Sequence, residues 1–420
     1  MRRLSPVALS VIALAVVITF AYFQGQWFLS AQATQPRSTT HVAPTRTTPA
    51  YVYSTLKASA GFVLARAPEG SSGQPLGTPQ VVASFGGGFG LAASDSVLSM
   101  QLSPDGRYLA ISAAQDHGEQ VWVFDTRAGS DLSLRLLPAN VSGNFLNWMP
   151  GGSGHTFLYR PMFPLGPNAP LNHGVWNPGL WEVDAASGSF KNIDIQMPAA
   201  FLVDAAASPD GLRIVYSTST GLGMGSTIWM MRSDGSQITR LFSISGQAQA
   251  IAAMFAWSPN GASIAYELLA DSPTPFLPAG LWVMNSDGNG PRYLADSDGG
   301  HGYRLAWSPD SSKIAFVVRT NESNRQADAL AQALQCAVGV VDVATARSWL
   351  VASPAQTGRQ LNYAPAWLDS GSSITFVAAN PFNYVLGGTP RYWSARVGNA
   401  PLQPAVQPLT PPIAHVVALG

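Results

Sequence analysis

An internal repeat constrains this chain more than any other feature. Six units recur, each with an apolar pair, a Pro-Asp-Gly type turn, an alternating strand, a loop, a Trp-centred strand, a Gly turn and a short polar strand. The turn reads Ser103-Pro104-Asp105-Gly106, Met149-Pro150-Gly151-Gly152, Ser208-Pro209-Asp210-Gly211, Ser258-Pro259-Asn260-Gly261, Ser308-Pro309-Asp310-Ser311 and Leu368-Asp369-Ser370-Gly371. Pro ahead of Asp, Asn or Gly is the chemistry of a tight turn between antiparallel strands. Trp148, Trp257, Trp307 or Trp367 stands just before the turn, and a second Trp column, Trp122, Trp181, Trp229, Trp282 and Trp393, marks the third strand. Nine of the twelve Trp therefore occupy two repeat columns.

Four short strands per unit of roughly 40 to 60 residues are the signature of β-propeller blades. Composition agrees. With 40 Gly, 32 Pro and only 11% charged residues, against about 25% in an ordinary soluble domain, a helical bundle is excluded. Disorder conflicts with 46% hydrophobic residues, which fill a large core. The 23 basic and 23 acidic residues cancel, so there is no basic field for nucleic acid. A single cysteine, Cys336, excludes an intramolecular disulfide and a multi-Cys metal site. It begins a third strand and reads as a buried small hydrophobe.

With its preceding Trp, the Ser-Pro-Asp-Gly turn resembles the Pro-Asp, WD-like repeats of TolB-type propellers over about residues 97 to 405. The resemblance implies the fold and no particular activity. The units at Met149 and Leu368 depart from the motif. TolB itself carries a sizeable α/β domain ahead of its propeller, whereas residues 51 to 96 are all that separate linker and first full repeat here, so its partners do not carry over.

An open ring would leave two blade faces bare. Tyr51-Val-Tyr53, Gly61-Phe-Val-Leu-Ala65 and Gln80-Val-Val-Ala83 read as strands two, three and four of one more blade, with Ile413-Ala-His-Val-Val-Ala418 as its innermost strand. The expectation is an all-β propeller of seven four-stranded antiparallel blades over residues 51–420. Six blades with an N-terminal appendage is the alternative.

Residues 1–33 read as a membrane anchor or a signal peptide. Met1-Arg2-Arg3 precedes the uncharged stretch Val7 to Phe23 and Trp27, which orients the N-terminus to the cytoplasm and the rest outside. Ala31-Gln32-Ala33 is the competing cleavage pattern. Residues 34–50, rich in Thr and Pro, form a linker. The expected location is the cell membrane, single-pass with the propeller outside the cytoplasm, or secreted or periplasmic after cleavage.

In antiparallel blades the first-to-second and third-to-fourth connections leave at one end, and the others at the opposite end. The first set reads as brief turns. The second-to-third connections are long at Arg160 to Pro178, Leu269 to Gly280, Thr320 to Gln335 and Ala379 to Pro390. They bring Phe163, His173, Trp176, Phe276, Arg325, Phe382 and Tyr384 to one face, joined by His301 from a fourth-to-first loop. Aromatic residues on loops of a rigid scaffold are contact anchors, so these eight are the candidate ligand-binding residues.

No catalytic set emerges. Gly-x-Ser-x-Gly, Walker and His-Glu-x-x-His patterns are missing. Asp296-Ser297-Asp298-Gly299 lacks the later ligands of a calcium loop and reads as a turn. The sequence implies no cofactor and no metal. The expected function is a non-enzymatic scaffold for a protein, peptide or glycan, with a lyase or hydrolase site assembled from several blades as the alternative.

Overall fold

The structure is a computed structural model. It describes residues 51–408 apart from 59–60, 69–75, 86–95, 116–117, 128–133, 138–142, 152–153, 162–178, 194–200, 221–223, 246–249, 271–278, 299–303, 322–333, 369–370, 383–384 and 399–405. The described strands form seven antiparallel sheets. Blade 1 holds β1 (Tyr51–Ala58), β2 (Gly61–Pro68) and β3 (Gln80–Phe85), and blade 2 holds β4 (Ser96–Leu102), β5 (Tyr108–Gln115), β6 (Gly118–Asp125) and β7 (Leu134–Leu136). Blade 3 comprises β8 (Gly143–Met149), β9 (Thr156–Pro161), β10 (Leu180–Asp184) and β11 (Phe190–Ile193); blade 4 comprises β12 (Phe201–Ala207), β13 (Arg213–Ser219), β14 (Gly225–Arg232) and β15 (Thr239–Ser245). Blade 5 contains β16 (Ala250–Trp257), β17 (Ser263–Ala270), β18 (Ala279–Asn285) and β19 (Arg292–Ser297). Blade 6 contains β20 (Ala306–Trp307), β21 (Lys313–Arg319), β22 (Cys336–Asp342) and β23 (Ser348–Ala352), and blade 7 has β24 (Leu361–Trp367), β25 (Ser373–Phe382), β26 (Val385–Arg396) and β27 (Val406–Pro408).

The repeat motif works as a hydrogen-bonded unit. In blade 2 the Ser103 hydroxyl donates to Asp105 Oδ1 at 2.6 Å and accepts the Tyr108 N–H at 2.9 Å. Asp105 Oδ1 also accepts the Arg107 N–H at 3.1 Å, and Gly106 N–H closes the turn on Ser103 C=O at 2.7 Å. The same bonds recur at Ser208, Ser258 and Ser308. The residue after Asp or Asn is left-handed, at φ 69° in Gly106, Gly211 and Gly261, which is why Gly recurs there; Ser311 adopts φ 60° in its place. Partial burial raises the Asp105, Asp210 and Asp310 carboxyls. The hydrogen bonds from the Ser hydroxyl and turn N–H groups outweigh it and hold all three below the usual carboxylate range.

The Trp before the turn joins blade to blade. Trp148 Nε1 donates to Gln101 C=O at 3.0 Å, Trp257 to Ala206 at 3.1 Å, Trp307 to Ala256 at 2.9 Å and Trp367 to Ala306 at 2.9 Å. Each acceptor sits on the innermost strand of the preceding blade, one residue before the position equivalent to the donor. Blade 4 has Ala207 at this position. There Asn147 of blade 3 does the joining, donating to Ala205 C=O at 3.0 Å and accepting the Ala207 N–H at 3.2 Å. The third-strand Trp column stands opposite Ile111, Tyr159, Tyr216, Tyr266 and Phe376 of its own blade, and Trp122 also packs on Phe85 of blade 1, with ring centroids 5.8 Å apart. Blade 6 has Gly339 there, facing Phe316; a Cβ on Gly339 would meet the Phe316 ring at 3.0 Å.

Seven hydrophobic layers lie between the blades. The last decides between six and seven blades: Val52 of blade 1 packs with Leu361, Tyr363, Val377 and Ala379 of blade 7, while Tyr53, its neighbour on the other side of β1, packs with Leu109 and Phe124 of blade 2. Blade 1 is therefore covered on both faces. The ring is a seven-bladed propeller. Blade 1 shows three strands where four were expected. Its proposed innermost strand, Ile413 to Ala418, lies outside the described residues, as do the proposed N-terminal membrane segment and linker. No described helix is long and apolar enough to cross a membrane.

Two outcomes should follow from this geometry. Replacing Trp367 with Phe strands the Ala306 carbonyl and should cost about 1 to 3 kcal/mol in urea unfolding; an unchanged midpoint would contradict the joint. Val52→Asp should lower the melting temperature by several degrees, roughly what the loss of a buried side chain implies. Val81→Asp, on an outer strand at 62% exposure, should leave it unchanged.

Candidate functional site

The two faces of the ring differ. On the turn face, neighbouring Pro-Asp turns touch: His155 Nε2 and Asp105 Oδ2 lie 2.7 Å apart, Asn260 N–H donates to Ser311 Oγ at 3.1 Å, and a Cβ on Gly151 would meet Asp210 C=O at 3.2 Å. The third-to-fourth turns of blades 3 to 6 are short, as expected. Those of blades 1, 2 and 7 are not, since residues 69–79, 126–133 and 397–405 separate the paired strands. The trimming of this face is thus confined to the middle of the chain. At the opposite end lie the described strand ends that the fourth-to-first connections and the long second-to-third connections 162–179, 271–278 and 320–335 join.

Of the candidate ligand-binding residues, Phe163, His173, Trp176, Phe276, His301, Arg325 and Tyr384 lie outside the described residues. Phe382 is described in its backbone only, as the last residue of β25, paired with Val385. This corrects the reading of Ala379 to Pro390 as a loop. Asn380 pairs with Gly387 and Pro381 with Leu386, so β25 and β26 run on as a hairpin beyond the blade, joined by residues 383–384. Ala378, Ala379 and the strand-forming Val385 and Tyr392 allow that extension. One unexpected element lies on the same face: α1 (Pro354–Thr357), started by Pro354 and stopped by Gly358 at φ 66°.

Beneath the loops, the described end of blades 5 to 7 holds a buried polar group that sequence reading missed. Asp298, 5% exposed, follows β19 and accepts the Cys336 thiol at 2.8 Å. The segment Asp296 to Asp298 is thus strand and crossover and not a free turn. Burial first, then the Asp298 charge and hydrogen bond, push the Cys336 thiol up, so the sulfur stays protonated and is no nucleophile. Asn362 Nδ2 donates to Cys336 C=O at 3.0 Å and Arg359 C=O at 3.3 Å, and Gln360 N–H donates to Asn380 Oδ1 at 3.1 Å. The bond from Asn362 to Cys336 staples blade 7 to blade 6, and the other two tie the entry of blade 7 to its own strands.

Glu267 on β17 is 1% exposed, and its Oε2 has no hydrogen-bond partner among the described residues. Burial raises its carboxyl to about 8; the Ser297 hydroxyl lowers it in part and the Asp298 charge raises it again. Glu267 is therefore a neutral acid near pH 7. A single polar residue in the apolar run Ala265-Tyr266-Glu267-Leu268 was the available signal. Elsewhere on this side polar groups are spent on joining blades. Asp204 Oδ2 accepts Phe255 N–H at 3.1 Å, and Arg160 reaches Asn144 Oδ1 at 3.0 Å and Val203 C=O at 2.5 Å. Among the described residues no group of three or more His, Cys, Asp or Glu could hold a metal ion.

Comparison with known proteins speaks to the fold. No family model matches the chain, and no curated protein matches its sequence. Similar solved structures include an oligogalacturonate lyase in complex with manganese, at 14% identity over 81% of this chain and 83% of that one, with a TM-score of 0.52. An oligogalacturonate lyase from Vibrio parahaemolyticus matches at 13% identity over 82% and 88%, also at 0.52. A putative TolB from Agrobacterium tumefaciens matches at 20% identity over 59% and 81%, with a TM-score of 0.40. What is shared is the propeller.

The Glu267 carboxyl links stability to pH. Its folded value lies above the unfolded one, so the neutral form favours folding, and this contribution is lost as pH rises from about 4.5 through about 8. Thermal melts should show Glu267→Gln gaining on the wild type between pH 6 and 9. Parallel curves would place the acid in contact with water.

Proposed function

We propose that this protein is an exported, membrane-tethered scaffold that binds a protein, peptide or glycan through the loop face of its propeller. The observation that carries the reading is the unequal division of the ring. Turns on one side are locked to one another by Asp105, Asn260 and Ser311, while the strand ends joined by the fourth-to-first and the longest second-to-third connections lie at the other. A rigid ring with loops gathered at one end is the usual platform for recognition. Trp176 and Phe276 are the intended anchors, with Phe163, His173, His301, Arg325, Phe382 and Tyr384 around them. Zero net charge makes steering of a charged partner weak, so contact depends on rings and hydrogen bonds. Met1-Arg2-Arg3 and the apolar Val7 to Phe23 support the tether.

A second reading is a lyase or hydrolase with a site assembled from several blades at the channel mouth. Two lyases among the structural neighbours accord with it in fold. The chemistry of the released ligand separates the two readings: a scaffold returns it unaltered, an enzyme does not.

The test is retention of a partner from membrane extract by the full chain. The double variant Trp176→Ala, Phe276→Ala should lose retention, with a melting temperature within about 2 °C of the parent, as expected for substitutions in loops that serve binding. Undiminished retention would remove these residues from the site.

A further inference from the structure

Glu267 belongs to the layer between blades 5 and 6. Ala265, two residues earlier on β17, and Leu281, its cross-strand partner on β18, both pack in that layer with Ile314 and Phe316 of blade 6, and strand alternation puts Glu267 on the same face. The two blades are held together there by Asp298. Its N–H donates to Val317 C=O on β21 at 2.9 Å, and its Oδ2 accepts the Cys336 thiol at 2.8 Å. Cys336 carries the connection on to blade 7: its N–H donates to Gln360 C=O at 2.8 Å, and its C=O accepts Asn362 Nδ2. One carboxylate and one thiol thus tie three blades, and Glu267 stands close enough to feel the Asp298 charge. Among the described residues the charged and titratable groups around Glu267 are Asp298 after β19 and, through it, Cys336 of β22 and Arg319 of β21, with Tyr363 of β24 in the layer of the thiol. Ala253 and Leu281, paired with Glu267 on β16 and β18, bring no charge.

We propose that this junction is a pH-sensitive joint between blades 5 and 6, closed while Glu267 carries its proton and released when the proton is lost. The neutral acid suits an apolar layer, whereas the carboxylate faces both desolvation and the like charge of Asp298. Parting the blades hydrates Glu267 and breaks the bond from Cys336 to Asp298. In the closed joint burial and the Asp298 charge raise the Glu267 carboxyl to about 8, against about 4.5 for the hydrated group, so opening releases a proton. The opening equilibrium therefore rises about tenfold per pH unit across that interval and levels off above it. The opening is local, since each sheet keeps its own strand pairing while the thiol becomes accessible. The joint is independent of what the loop face holds.

Cys336 is the one cysteine of the chain, so a thiol reagent reads this joint alone. Alkylation of the native full chain by iodoacetamide is followed with pH, each rate divided by that of the same chain unfolded in urea, which removes the ionisation of the thiol itself. The normalised wild-type rate should climb about tenfold per pH unit between about pH 6 and 8 and then level off, and that of Glu267→Gln should stay flat. Urea below the unfolding transition should leave the wild-type rate unchanged, because a local opening exposes little surface. Asp298→Asn keeps an acceptor for the thiol and removes the neighbouring charge, so its levelling-off should move to lower pH; this variant decides the matter if Glu267→Gln does not fold. A flat wild-type profile, the same slope in Glu267→Gln, alkylation that accelerates in sub-denaturing urea, or an unmoved levelling-off in Asp298→Asn would overturn the proposal.

Discussion

The interaction on which this ring depends is the indole N–H of one blade held by a backbone carbonyl of the blade before. A β-sheet satisfies its own backbone internally, so stacked sheets are bound only by apolar contact and are free to slide. Trp148, Trp257, Trp307 and Trp367 remove that freedom. Each donor stands at the turn end of an innermost strand, where blades are closest and a single directional bond sets the angle between sheets. Where the column is broken at Ala207, the side chain of Asn147 makes two bonds in its place. The need is positional, and indole and carboxamide both meet it.

Rigid turns follow from the same economy of polar groups. Ser103 and Asp105 satisfy the turn that carries them, and so do their equivalents in blades 4, 5 and 6, which lets the turns pack side by side with little exposed backbone. Extra length is then accommodated mainly at the other end. The low charge of the chain reflects this arrangement: strands buried on both faces have few positions for Lys or Glu, and turn polarity comes from Ser, Asp, Asn and Gly.

Buried polar residues serve mainly as staples. Asp204, Glu267, Asp298 and Asn362 are all buried, and three of the four are spent on joining strands. Glu267 Oε2 and Asn362 Oδ1 have no hydrogen-bond partner among the described residues. The sequence made such residues visible as interruptions in apolar runs, but nothing local distinguished a blade-to-blade staple from a reactive group. Cys336 illustrates the point. Its place at the start of a third strand was legible, and its burial followed from that, whereas its bond to Asp298 joins residues 38 positions apart.

What the sequence determined by itself was whatever repeats at short range: the Pro-Asp turns, both Trp columns, the strand order within a blade, and the assignment of each connection to one face. Period and turn chemistry suffice for these, because they act within a few residues. The tertiary structure decided whatever needs two distant blades at once. It packed Val52 on Leu361 of blade 7 and Tyr53 on Leu109 of blade 2, making the ring seven-bladed, and turned the predicted loop after Ala379 into a hairpin. The physical reason is that packing and desolvation depend on what lies across an interface, and a linear repeat specifies each blade without specifying its neighbour.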